Sequence, residues 1–136
     1  MHKAIGFFAG LTLLVASLAN AQQANAPAPQ IGPSSVESQL TELAGLLGTM
    51  QMLQSLCSPQ DQDFWRDRMQ EMLRLEKPSI EQQHALINAF NAGYNGAESR
   101  FTNCTPEAHS LAVETAQKGE ALAQALSTAG NGNSPG

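Results

Sequence analysis

Two short segments, CSPQ at 57–60 and CTPE at 104–107, contain the only two cysteines of the chain. Each cysteine is followed by a hydroxyl residue and a proline. Ser58 and Thr105 are natural helix N-caps, and Pro59 and Pro106 suit the first helical position, where no amide donor is needed. Each cysteine is therefore expected in a loop just ahead of a capped helix start. The echo is one of capping chemistry and not of duplication. With 57–76 laid over 104–123, Phe64 meets Leu111, but Trp65 meets Ala112 and Met72 meets Gly119.

Four helical patterns fill the interval from residue 35 to residue 127. From Ser35 to Leu56, Leu40, Leu43, Leu47 and Met50 recur at spacings of 3 and 4. From Pro59 to Glu76, Trp65, Met69 and Met72 share one face, and the residue before Pro78 must leave the helical region. Ser79 caps a third helix with Gln82 at the capping-box position. Along it Leu86, Phe90, Tyr94, Ala97 and Phe101 form a single apolar line. The fourth starts at Thr105-Pro106 and carries Leu111, Gly119, Leu122 and Leu126. No stretch alternates apolar and polar residues as a half-buried strand requires. The expected fold is all-α, an antiparallel four-helix bundle.

The N-terminus reads as a secretory signal peptide. Lys3 precedes the apolar run AIGFFAGLTLLVASLA, and Ala19-Asn20-Ala21 offers small residues where a signal peptidase cuts. The run is shorter than the ~20 residues of a membrane span, and no cysteine sits at the cleavage site, so neither a bilayer anchor nor a lipid anchor is expected. Cleavage near Ala21 implies a periplasmic chain with a disordered leader over 22–34, a helical domain over 35–127 and a disordered tail over 128–136. Losing Lys3 from the 7 basic residues leaves 6 against 12 acidic ones, a net charge of −6. Such a surface argues against nucleic acid as a partner.

In an up-down-up-down bundle, the loops after the first and third helices lie at the same end. That brings Cys57 and Cys104 together across 47 positions, and an oxidising compartment would join them. Closing a loop of this length contributes about 4 kcal/mol in the chain-entropy model. Neither cysteine has the C-x-x-C partner of a thiol oxidoreductase. A metal set of both cysteines with His84 and His109 has no clustering in the sequence to support it, so no metal and no cofactor are assigned.

Five residues are candidates for binding or for a polar core: Trp65, Arg66, Glu76, Asn91 and Tyr94. Trp65 and Arg66 open the densest aromatic and cationic patch, in which Arg66 and Arg68 can pair with Asp63, Asp67 and Glu71. Glu76 extends the 65, 69, 72 stripe by one step. It is either a buried acid with a raised pKa or a helix-end group reaching solvent. Asn91 and Tyr94 lie three apart on a helix, where they would form a buried polar pair or meet a ligand. No nucleophile elbow, phosphate loop or paired-carboxylate motif is present, so no catalytic residue is assigned.

The segments LAGLLGTMQMLQSLC, FWRDRMQEMLRLE, LINAFNAGYNGAESRFTNCTPEA and KGEAL together resemble a family of small exported alphaproteobacterial proteins of unknown function. The resemblance rests on Cys57, Trp65, Arg66, Met69, Glu76, Phe90, Asn91, Gly93, Tyr94, Cys104, Thr105, Ala108 and Gly119. It departs at Gly45, where the family pattern has an acidic residue. It implies a bacterial periplasmic protein and assigns no activity. The expected function is thus a non-enzymatic interaction or envelope-maintenance module whose partner is another envelope protein. A small-ligand or metal carrier and a small stress chaperone are the alternatives, and the oligomeric state is left open.

Overall fold

Leucine-rich periodicity and well-placed caps produce four α-helices and one 3-10 turn in a computed structural model that describes residues 33–132. In chain order these are α1 (Pro33–Cys57), the turn Pro59–Asp61, α2 (Phe64–Glu76), α3 (Ile80–Arg100) and α4 (Pro106–Gly132). The expected signal peptide, the expected leader up to residue 32 and residues 133–136 of the expected tail lie outside the described residues. Among the described residues, no helix is long and apolar enough to cross a membrane. The expected all-α bundle is present.

Its helices run up-down-up-down but are not evenly packed, because every extensive helix–helix contact has α1 as one partner. The register between α1 and α3 is parallel. Gln82 donates to the Glu37 carbonyl at 3.0 Å near one end, and Cys57 is bonded to Cys104 at the other. Between them the two backbones touch directly. A Cβ on Gly48 would fall inside the carbonyl of Phe90, and one on Gly93 would fall inside the carbonyl of Gly45. Thr49 spans the crossing, its hydroxyl reaching the carbonyls of Gly45 at 3.2 Å and Gly93 at 3.3 Å.

The core is divided at this crossing. Leu40, Ala44, Leu47, Met69 and Leu86 form one buried cluster, with Trp65, Met72, Phe90 and Leu126 packed against it. Met52, Leu53, Ala97, Phe101 and Ala108 form the other, supported by Leu56, Tyr94 and Leu111. The buried positions on α4, Ala108 and Thr115, fall on the same stripe as Leu111, Gly119, Leu122 and Leu126. Their small or polar side chains hide them from a pattern built on leucines.

Three local expectations are corrected. First, α2 begins at Phe64 and not at Pro59. Ser58 caps only the 3-10 turn and makes no side-chain cap bond. The carbonyls that a continuous helix would use internally are taken by α1. Gln51 Nε2 donates to the Gln62 carbonyl, and Gln54 Nε2 donates to that of Asp61 at 3.3 Å. Gln51 Oε1 in turn accepts the Arg66 amide at 2.8 Å, so the first turn of α2 is capped by a neighbouring helix and not by its own Asp63. Second, the capping box at Ser79 is half formed. Its hydroxyl accepts the Gln82 amide at 3.1 Å, while the Gln82 side chain turns to α1. Third, α4 runs through 128–132, which were expected to be disordered. The other cap is as expected: Thr105 Oγ1 accepts the Ala108 amide at 3.1 Å. At the end of α2, Lys77 takes the left-handed conformation with φ 45° ahead of Pro78, which stops that helix.

Gly48→Ala and Gly93→Ala force α1 and α3 apart, and each is expected to cost about 1–3 kcal/mol. Gly96→Ala, which faces open space on α3, should instead stabilise by up to ~1 kcal/mol through helix propensity. Urea denaturation followed by far-UV circular dichroism reads all three, and equal effects would rule out the backbone contact. By the same measurement Gln51→Leu should cost about 1–3 kcal/mol, because it orphans the Arg66 amide and the Gln62 carbonyl. Gln54→Leu, whose partners are more exposed, should cost less.

Candidate functional site

Since α2 and α4 each lean on α1, a trough opens between them with α1 as its floor. One part is a cavity of about 370 Å³ bounded by Leu43, Leu46, Leu47 and Met50 of α1. Phe64, Trp65, Arg68 and Met72 form its α2 wall, and Thr115, Ala116, Gly119, Glu120 and Ala123 form its α4 wall. An adjoining cavity of about 620 Å³ shares Leu43, Met72 and Ala123 and extends past Val36 and Leu126 to Glu76. The two join into one trough along α1.

Side-chain size explains the gap. The α2 wall is built of Phe64, Trp65 and Met72, whereas α4 answers with Ala116, Gly119 and Ala123 at helical spacing. A Cβ on Gly119 would stand 3.9 Å from Leu43 Cδ1, an ordinary van der Waals contact, so a longer side chain there would occupy the space above the floor. The mismatch leaves apolar walls that nothing in the described chain covers. The volumes fall in the range of small-molecule sites; the smaller part is almost wholly apolar, and the wider part is more polar toward Glu76, Ser127 and Asn131.

The α2 wall is held firmly. Trp65 Nε1 donates to Gln54 Oε1 at 2.7 Å, which satisfies the indole while its ring packs on the core. Phe64 meets it edge to face, with ring centroids 4.8 Å apart, and remains 42% exposed at the rim. Arg68 lies over the outer face of Phe64, 5.0 Å from the ring centroid. Thus the α2 lip carries a cation and the α4 lip carries the carboxylate of Glu120. Farther along α2, Arg74 grips Glu71 through two hydrogen bonds of 2.6 and 3.0 Å. The hydrogen bond from Arg74 holds the Glu71 carboxyl below the ordinary glutamate range.

The candidates from the sequence are only partly brought together. Trp65 forms the trough wall and Glu76 stands at its far end. Glu76 is exposed, so it is not the buried acid that its place on the stripe allowed; it ends α2, where the stripe runs out into solvent. Arg66 also points outward, pairing with Asp63 at 3.2 Å, while its backbone amide serves the Gln51 cap. Asn91 and Tyr94 belong to α3, outside the trough. Asn91 is exposed, and half-buried Tyr94 packs against the second core cluster, so no buried Asn91–Tyr94 pair forms. That outcome follows from the glycine crossing, which turns Phe90 and Gly93 toward α1 and leaves Asn91 on the outer face. Arg68, Ala116, Glu120 and Ala123 were missed as site residues. The small-residue spacing at 116, 119 and 123 was the available signal.

At the opposite end from Glu76, Cys57 and Cys104 form the expected disulfide, with Sγ–Sγ 2.04 Å and Cα–Cα 5.1 Å. His109, in the first turn of α4, places a ring nitrogen within 4.8 Å of both sulfurs. His84 sits on α3 and takes no part in this group.

No curated protein and no solved structure matches this chain. A protein-family model does match, over residues 35–129, which span α1 almost from its start to the last turns of α4. Its description is "Protein of unknown function (DUF2385)", and with most of its length matched, this chain belongs to the DUF2385 family.

Proposed function

We propose that this chain is a non-enzymatic protein of the bacterial envelope, exported through its N-terminal signal and cleaved near Ala21, that holds an apolar segment of another envelope protein in the α2–α4 trough. The observation that carries this reading is the trough itself: large apolar side chains on one wall, small ones on the other, and no covering element among the described residues. An amphipathic helix is the natural occupant, since its residues at i, i+3, i+4 and i+7 fill a groove of this kind. The rim favours a segment with a carboxylate facing Arg68 and a cation facing Glu120.

A second reading, a carrier of a small apolar ligand, draws on the same cavity of about 370 Å³ and on the size range of small-molecule sites. The two are separable. A photo-crosslinker placed at Ala116 should capture one defined envelope protein, and the same group at Asn91 on the outer face of α3 should capture none. Filling the trough with Gly119→Leu should abolish the adduct while leaving helicity unchanged. Trp65 is the only tryptophan in the chain, so its emission should shift to the blue when the purified partner is added. Failure to form any adduct at Ala116, together with a bound non-protein mass in native mass spectrometry, would replace the first reading with the second.

A further inference from the structure

The geometry points to a second site, independent of the trough. We propose that the reduced chain binds one Zn²⁺ through Cys57, Cys104 and His109, so that metal and disulfide are alternative staples at the same joint. Cys57 closes α1, Cys104 lies in the loop before α4, and His109 stands in the first turn of α4. The Thr105 cap fixes that turn. Its hydroxyl holds the Ala108 amide at 3.1 Å and its carbonyl holds the His109 amide at 3.0 Å. The three ligating atoms lie within 4.8 Å of one another. Zinc, with Zn–S of about 2.3 Å and Zn–N of about 2.0 Å, sets tetrahedral ligands about 3.5–3.8 Å apart. Once the bond is cut the sulfurs must therefore part to about 3.8 Å and the ring nitrogen must come to about 3.5 Å from each, movements open to an exposed imidazole and an exposed Cys104. The fourth position is left to water, as in open three-ligand zinc sites.

While the sulfur–sulfur bond persists neither sulfur is a thiolate, and the site is closed to metal. Opening it takes a dithiol reductant. Its thiolate attacks the exposed Cys104 Sγ, which breaks the bond to Cys57 and releases the Cys57 thiolate. The reductant's second thiol then attacks the mixed disulfide and frees Cys104. Two electrons pass to the cysteine pair, the dithiol leaves as its own disulfide, and its two protons reside on the freed thiols. Zn²⁺ then displaces those two protons as both sulfurs bind as thiolates. Imidazole beside two thiolates suits zinc better than hard cations such as Mg²⁺ or Ca²⁺. The outcome keeps the end of α1 joined to the start of α4 under conditions that would otherwise cut the joint.

The test uses the whole chain, reduced and freed of reductant without air, with Co²⁺ as the spectroscopic probe and Zn²⁺ as competitor. One equivalent of Co²⁺ should give thiolate charge-transfer absorption and tetrahedral ligand-field bands, both erased by Zn²⁺. His109→Ala should weaken Zn²⁺ binding at least about 10-fold and change the ligand-field bands, whereas His84→Ala should do neither. Cys57→Ser, Cys104→Ser and the oxidised chain should give no charge-transfer band. If the reduced chain loses helicity, recovery of the far-UV dichroism on adding Zn²⁺ supports the site. Loss without recovery overturns it, as do one metal per two chains or equal affinity of His109→Ala and the unaltered chain.

Discussion

The backbone contact between α1 and α3 governs the rest of the bundle. Helices that meet through ordinary side chains keep their axes 8–10 Å apart. Where Gly48 and Gly93 bring bare backbone against a facing carbonyl, only the Thr49 hydroxyl is seen to bridge the two. Diagonal helices of a square bundle cannot make such a contact without displacing the other two. Here α2 and α4 are displaced to separate flanks of α1, and the volume they no longer share becomes the trough. Closeness on one side and openness on the other are one packing solution seen from two faces.

The α1–α2 corner shows how a helix can start without a cap of its own. Asp63 stands where a capping side chain would, yet it pairs with Arg66, and the amide it might have served is taken by Gln51 from α1. Buried amide side chains are costly unless both ends are satisfied. Gln51, 3% exposed, meets that condition by binding one carbonyl and one amide of the incoming segment. Together with the Gln54 bond to Trp65, it sets the pose of the α2 wall, so the geometry of the trough begins in two glutamines of α1.

Much of this fold was legible in the sequence, and the parts that were not have a common cause. The four helices, the Thr105 and Ser79 caps and the Cys57–Cys104 bridge follow from local periodicity and from the topology of an up-down bundle. Local chemistry sufficed because each depends on residues close in sequence or on a single geometric rule. The start of α2 was misplaced because its decisive partners, Gln51 and Gln54, lie on another helix. Asn91 was judged on its spacing to Tyr94 and Glu76 on a stripe that runs to a helix end, and neither signal tells which residue lies past the edge of the core. The trough was invisible for a related reason. Ala116, Gly119 and Ala123 look like weak core residues until their opposite wall is known.

The disulfide ties α4 to the bundle at one end only. From Pro106 to Gly132 the helix has 27 residues and, at 1.5 Å each, a length of about 40 Å. It is thus a long arm fixed near a covalent pivot, with the wider of the two cavities at its free end. A swing of about 5° around the staple would carry that end by about 3.5 Å on an arm of this length, close to the thickness of a methyl layer. In mechanical terms, the near end is pinned covalently, and the far end, beside the wider cavity, is held by the packing of Leu126 on the core.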